Sequence, residues 1–170
     1  MKLVQKQEDI PNEVMAVLFS VWDSLKGDDL LPVGSRLGEY GFDTVSAFCK
    51  FAQVDEENRV RYVKVGDAIK ELYGQDFEGA YLDELFDPWV RKAVVETYET
   101  CISQKKVIYE RKGFSTIIGS VGYEYLLMPF CGEDGTSVQK IVSCLMPLDA
   151  KIKKDSDWRE AVSVTPWLKR

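Results

Sequence analysis

Val65-Gly66-Asp67-Ala68-Ile69-Lys70-Glu71-Leu72-Tyr73-Gly74, followed by Gln75-Asp76-Phe77-Glu78-Gly79, ends one periodicity and begins another. The residues leading into it, Arg59 to Val65 (RVRYVKV), are β-rich. Ala68, Ile69 and Leu72 then fall at helical spacing, and Gly74 supplies the exit. Upstream lies a second β-rich run, Phe48 to Val54 (FCKFAQV), separated from the first by Asp55-Glu56-Glu57-Asn58. The stretch therefore predicts a hairpin followed directly by a short helix.

Downstream, Asp87-Pro88 opens the longest helix, with Asp87 as N-cap and Pro88 at the first helical position. Val90, Val94, Tyr98 and Ile102 follow along one side of it. Three more β segments come next: 107–114, 121–130 and 138–148, the last two joined through Glu133-Asp134-Gly135-Thr136. Two strands, a helical insert and a three-stranded meander make an α+β pattern with a five-stranded antiparallel sheet.

At the other end, Val14, Val17, Leu18, Val21, Trp22 and Leu25 paint a stripe on an amphipathic helix between Pro11 and Lys26. Either the domain or a second copy of the chain must cover that stripe. Gly27 to Tyr40 reads as a surface loop pinned by Leu30, Leu31 and Leu37. The organisation is thus 1–40, helix and loop; 41–150, the α+β domain; and 151–170, a tail with two tryptophans among charges, available to cap the core or to contact a partner. That tail is too short for a kinase, a cyclase or a DNA-binding domain.

Composition narrows the chemistry. Of 170 residues, 22 are Lys or Arg and 28 Asp or Glu, a net charge of −6 that argues against a nucleic-acid partner. The longest apolar runs are six residues, against the ~20 of a membrane span, and the first residues lack a secretory h-region. The expectation is a cytoplasmic protein. It has no histidine, so His-dependent nucleophilic triads and His-ligated haem are excluded. Cys49, Cys101, Cys131 and Cys144 form no Cys-x-x-Cys and read as buried, reduced thiols. A hairpin turning at Asp134-Gly135 sets Cys131 opposite about Val138 and Cys144 opposite about Tyr125, too far apart for a bridge. Glu110-Arg111 and Glu124 read as a solvated cross-strand charge pair.

The segment 65–79 resembles the central signature of PAS domains, in which a strand end, a helical turn, Gly and a second Gly occur in this order. Tyr123 to Phe130 and Val138 to Leu148 resemble the last two PAS strands. Trp22, Gly27, Pro32 and Arg36 are similar to the helix and Gly-Asp/Pro/Arg stretch before the core of small stand-alone bacterial PAS proteins. The likeness runs from Val14 to Ala150. Two departures accompany it: Gly66 stands where many PAS domains place Asn, and no Cys lies between Lys50 and Thr100, so a covalent flavin photoadduct is argued against.

The resemblance implies a cavity between sheet and helices, filled either by side chains or by a ligand. Strand and helix alternation nominates Phe51, Tyr62, Tyr125, Leu127, Val142 and Cys144 from the sheet, and Ile69, Leu72, Phe86, Val94 and Tyr98 from the helices. It further implies a non-enzymatic sensor or protein-interaction module in signal transduction. Such a module would bind a small apolar or amphipathic molecule, regulate a separate output protein and form a homodimer through the N-terminal helix. The alternative is a small enzyme or carrier using the same cavity.

Overall fold

The structure is a computed structural model that describes residues 1–39, 42–86, 88–116 and 119–148. The predicted N-cap Asp87 and the tail 151–170 lie outside the described residues. Six strands form one antiparallel sheet: β1 (Lys2–Leu3), β2 (Cys49–Val54), β3 (Val60–Val65), β4 (Ile108–Thr116), β5 (Gly119–Cys131) and β6 (Val138–Pro147), in the order β1-β4-β5-β6-β2-β3. Three α-helices accompany them: α1 (Glu13–Lys26), α2 (Asp67–Tyr73) and α3 (Pro88–Gln104). The five expected strands are present. The sixth, β1, is two residues that pair with Tyr109 and Ile108 at the β4 edge, too short to leave a periodic signal.

The hairpin and the switch to helix follow the local chemistry. The Asp55 carboxylate accepts from the amides of Glu57 and Arg59 and so shapes the β2–β3 turn. Gly74 ends α2 in the left-handed conformation. Gly66, at the start of α2, is required for space. A β-carbon there would lie 2.2–2.4 Å from the Ser46 and Ala47 backbone, in the 3-10 turn Phe42–Phe48 that crosses over the helix start.

Both faces of the sheet are covered. On one, α3 packs against Tyr62, Tyr125 and Ser143 through Tyr98. On the other, α1 is fixed at two points. Asn12 caps α1 by accepting the Met15 amide at 3.0 Å, while its side-chain amide donates to Glu124 of β5 at 2.5 Å. The Trp22 indole donates to the Pro129 carbonyl at 2.7 Å. Met15, Leu18, Phe19, Trp22 and Leu25 are buried there, in one core with residues of every strand from β2 to β6.

This corrects the expected dimer surface. Leu18, Trp22 and Leu25 are spent within the chain, Val14 and Val21 pack partly against the same core, and only Val17, at 57% exposure, faces outward. Glu124 is likewise no solvated pair partner. It is buried and receives Tyr109 Oη at 2.6 Å and Arg111 Nε at 3.0 Å in addition to Asn12. Of the three leucines expected to pin the 27–40 loop, Leu31 is buried and Leu37 partly so, whereas Leu30 is 56% exposed.

Asn12→Ala removes the cap and one of three donors to a buried carboxylate, and it is expected to lower stability by about 1–3 kcal/mol. The urea midpoint, followed by Trp fluorescence, reads this directly. Gly66→Ala is expected to lose about as much, ~1–3 kcal/mol, because the methyl meets backbone rather than a movable side chain; an unchanged midpoint would contradict the contact.

Candidate functional site

Register decides which of the nominated residues meet. Ala52 pairs with Tyr62 and Ile141, and Lys50 with Ser143 and Val65, so Lys50, Ala52, Tyr62 and Ser143 share the face under α3. Tyr125, opposite Leu145, and Leu127, opposite Ser143 and Ile108, belong to the same face. Cys144 lies opposite Leu126 and Cys49, and Val142 opposite Met128 and Phe51, on the face that α1 covers.

Phe51, Val142 and Cys144 are therefore removed from the expected inner set. The physical reason for Val142 and Cys144 is a bulge between Phe130 and Cys131. Cys131 opposes Val138 as expected, but one residue of β6 is then skipped, so Cys144 opposes Leu126 instead of Tyr125 and changes face. Phe51 sits between the inward Lys50 and Ala52 and makes an edge contact with Phe42. The same register sets Cys49 beside Cys144, both reduced and buried; a hydrogen bond with Cys49 and burial push the Cys144 thiol well up.

The inner set is built on one hydroxyl. Tyr62 Oη and Tyr125 Oη donate to Tyr98 Oη of α3 at 3.1 and 2.9 Å, and Tyr98 donates to Ser143 Oγ at 3.1 Å. The chain of donors satisfies three buried phenols and ties α3 to β3, β5 and β6. Burial raises all three phenols above the ordinary tyrosine value. Ile69 is buried and Leu72 partly buried beneath this layer.

Beside the phenols lies a residue that sequence reasoning passed over. Lys50 is 2% exposed; its ammonium is 3.4 Å from Tyr125 Oη and sits 4.9 and 5.3 Å from the ring centres of Tyr125 and Tyr62. Among the described residues no carboxylate pairs with it, and burial pulls its pKa down to about 7. Its signal in the sequence was a lone charge inside the apolar run Phe48 to Ala52, at the parity of Ala52 and Val54.

A cavity of about 30 Å³ opens next to Lys50, with Lys112, Tyr73, Phe86, Tyr123 and Tyr125 among its walls and Val94 on its α3 side. That volume holds roughly one or two waters; the side chains of the Tyr62, Tyr98 and Tyr125 layer take up the rest. Phe86, at the mouth, has φ +67°, uncommon for an aromatic residue, and Arg91 of α3 holds the carbonyls of Leu85 and Phe86 at 2.9 and 2.8 Å. Glu110, expected in a solvated cross-strand pair, pairs with Lys112 at 2.8 Å and with the N-terminal amine at 3.3 Å.

Lys50→Met keeps the volume and removes a buried charge without an anion, so the variant is expected to be more stable than wild type by on the order of 1–4 kcal/mol at pH 7 or below. The folded pKa, about 7, lies below the unfolded 10.5. Between those values the unfolded state binds the extra proton, so Lys50 contributes stability that rises with pH by up to about 1.4 kcal/mol per unit. The advantage of Lys50→Met must accordingly shrink from pH 7 towards pH 10, and paired urea titrations at several pH values measure it.

No family model matches the chain, and none of the curated proteins matches it. Solved structures do. The PAS domain of BvgS from Bordetella pertussis superposes with a TM-score of 0.51 at 13% identity, covering 76% of this chain and 93% of that one. A sensory box sensor histidine kinase from Vibrio cholerae gives 0.47 at 15% identity over 63% and 86% of the two chains. A PAS domain from Colwellia psychrerythraea gives 0.43 at 12% over 62% and 92%. The superposition on the BvgS domain, taken with the β2–β3 hairpin, the α2–α3 insert and the β4–β5–β6 meander, shows that this chain has the PAS fold.

Proposed function

We propose that this chain is a sensor or protein-interaction module of signal transduction, which admits a small amphipathic molecule to the pocket at Lys50 and regulates a separate output protein. The observation that carries the reading is the pocket itself: a buried, unneutralised ammonium and a water-sized cavity inside an otherwise satisfied aromatic layer. A group of that kind is costly for a fold that needs only a core, and a cavity with convergent polar groups is the usual form of a small-molecule site.

The connections support a route outward. A ligand that shifts α3 acts on Tyr98, and through it on Ser143 of β6 and Tyr125 of β5. The opposite side of β5 holds α1 through Glu124 and the Pro129 carbonyl. A ligand with different affinities for two arrangements of α3 would thereby bias the seating of α1, whose outward edge at Val17 is the surface offered to the output partner. Non-enzymatic action belongs to the same reading: at the described walls two lysines and several phenols converge, groups that suit holding a ligand. The cytoplasm is the proposed compartment; among the described residues no helix is long and apolar enough to cross a membrane.

Native mass spectrometry of the full chain, as purified and after incubation with the small-molecule fraction of a cell lysate, tests the reading. A reproducible adduct, absent from the denatured mass and lost in a variant that fills the cavity such as Val94→Phe, is the expected result. A bare species under both conditions would overturn ligand sensing.

A further inference from the structure

Resting on that reading, the geometry points to a monocarboxylate as the ligand class: the carboxylate head occupies the cavity beside Lys50, and an apolar body extends towards Phe86 and Tyr73. The first ground is the hydrogen-bond arithmetic around Lys50. An ammonium has three donors. Among the described residues its one polar contact is the long bond to Tyr125 Oη, a neutral acceptor. The hydroxyl protons of Tyr62 and Tyr125 are committed to Tyr98, and that of Tyr98 to Ser143. The phenol layer thus has no negative charge to offer, and a buried cation with two donors lacking a polar acceptor among the described residues borders an open space.

The second ground is the sign of the walls. Lys112 of β4 borders the same cavity, paired with Glu110 at 2.8 Å, and among the described residues no Asp or Glu side chain forms its walls. The titratable groups that act on Lys50 are Lys112, the phenols of Tyr62 on β3 and Tyr125 on β5, and, from the other face of the sheet, the thiols of Cys49 and Cys144. None of them is a carboxylate. With Lys112 matched by Glu110, Lys50 is left as a desolvated cation that no carboxylate pairs with among the described residues. It favours an anion that arrives with the ligand.

Size and shape select among anions. About 30 Å³ admits a planar three-atom head, whereas a tetrahedral phosphate is larger and calls for more donors than one buried lysine and one half-exposed one supply. Outward from that head the walls turn apolar: Phe86, Tyr73, Val94 and Leu145. The residue that must shift to admit a body, Phe86, already holds a backbone conformation of raised energy, so its displacement relieves strain.

The test is an NMR titration of the full chain with sodium benzoate and sodium isovalerate as carboxylate probes and benzyl alcohol as the neutral isostere. Saturable shifts at Lys50, Thr97 and Tyr125 are expected with either carboxylate, at least tenfold tighter than with benzyl alcohol. Lys50→Met, whose fold is checked by its spectrum, should lose carboxylate affinity by tenfold or more while its weak binding of benzyl alcohol persists. Carboxylate affinity should also fall as pH rises above 7, since Lys50 must be protonated to bind and its neighbours do not gain charge in its place. Equal affinity for benzyl alcohol, undiminished carboxylate binding by Lys50→Met, or no shift at these residues would each overturn the carboxylate assignment. A small-molecule adduct in the native mass spectrum alongside any of those results would leave the sensor reading standing with a different ligand class.

Discussion

Along 124–131 of β5 and 141–147 of β6 the sheet is buried on both faces, and this constraint governs the molecule. In a sheet wetted on one side, strand parity separates core from solvent; on these strands it separates the part of the core under α3 from the part under α1. A side chain on the wrong parity is not expelled to water but delivered to a different helix. The single skipped residue after Cys131 therefore has large effects: it sends Cys144 and Val142 to the α1 side and Ser143 to the α3 side, where it accepts the proton of Tyr98. Without that shift Val142 would stand opposite Leu127 in the place of Ser143, and the phenol chain would lose its terminal acceptor.

The same constraint explains how much could be read from the sequence. Element order, the β2–β3 hairpin, the α2 exit at Gly74 and the start of the long helix near Pro88 were legible, because local chemistry specifies each. Tyr62, Tyr125 and Leu127 share the face under Tyr98 of α3, as parity within β3 and β5 expects, because parity within one strand does not depend on the bulge between β5 and β6. Val142 and Cys144 were not, because a bulge has no fixed residue signature and its effect appears many residues away. Phe51 was misassigned for a simpler reason: with both faces apolar, alternation in FCKFAQV does not say which parity is which. Lys50 was hidden by the same ambiguity, a charge that reads as outward although it shares the inward parity of Ala52 and Val54.

The α1 stripe shows the limit of amphipathicity as evidence for assembly. Six apolar positions at helical spacing say that something covers them, and the covering surface proves to be β5 and its neighbours. What identifies the cover is polar. Asn12 and Trp22 each reach a specific acceptor on β5, Glu124 and the carbonyl of Pro129, and Glu124 is in turn satisfied by Tyr109 and Arg111. Pro129 has no amide to donate to the ladder, yet its carbonyl serves the indole, so a residue ill-suited to a central strand is used where only an acceptor is needed. Buried polar groups of this kind demand definite partners, and they fix where a helix sits more sharply than apolar area does.

Lys50 stands apart from that economy. Glu124 is buried with three donors around it; Lys50 is buried with one weak acceptor and two ring faces. Ring faces offset part of the lost hydration of an ammonium but do not neutralise it, so the group is held either as an amine or as half of an ion pair whose other half is not among the described side chains. In the amine form the aromatic layer is electrically quiet and α3 is held through Tyr98 alone. In the ion-paired form a charge couple appears at the junction of β2, β5 and α3, a few ångströms from the hydroxyl on which that helix hangs. Switching between these two conditions changes the electrostatics around Tyr125, whose hydroxyl touches both Lys50 and Tyr98, and β5 carries that residue directly next to Glu124, the anchor of α1. Adjacent residues of one strand, facing opposite helices, are thus the shortest physical link between the pocket and the outer helix.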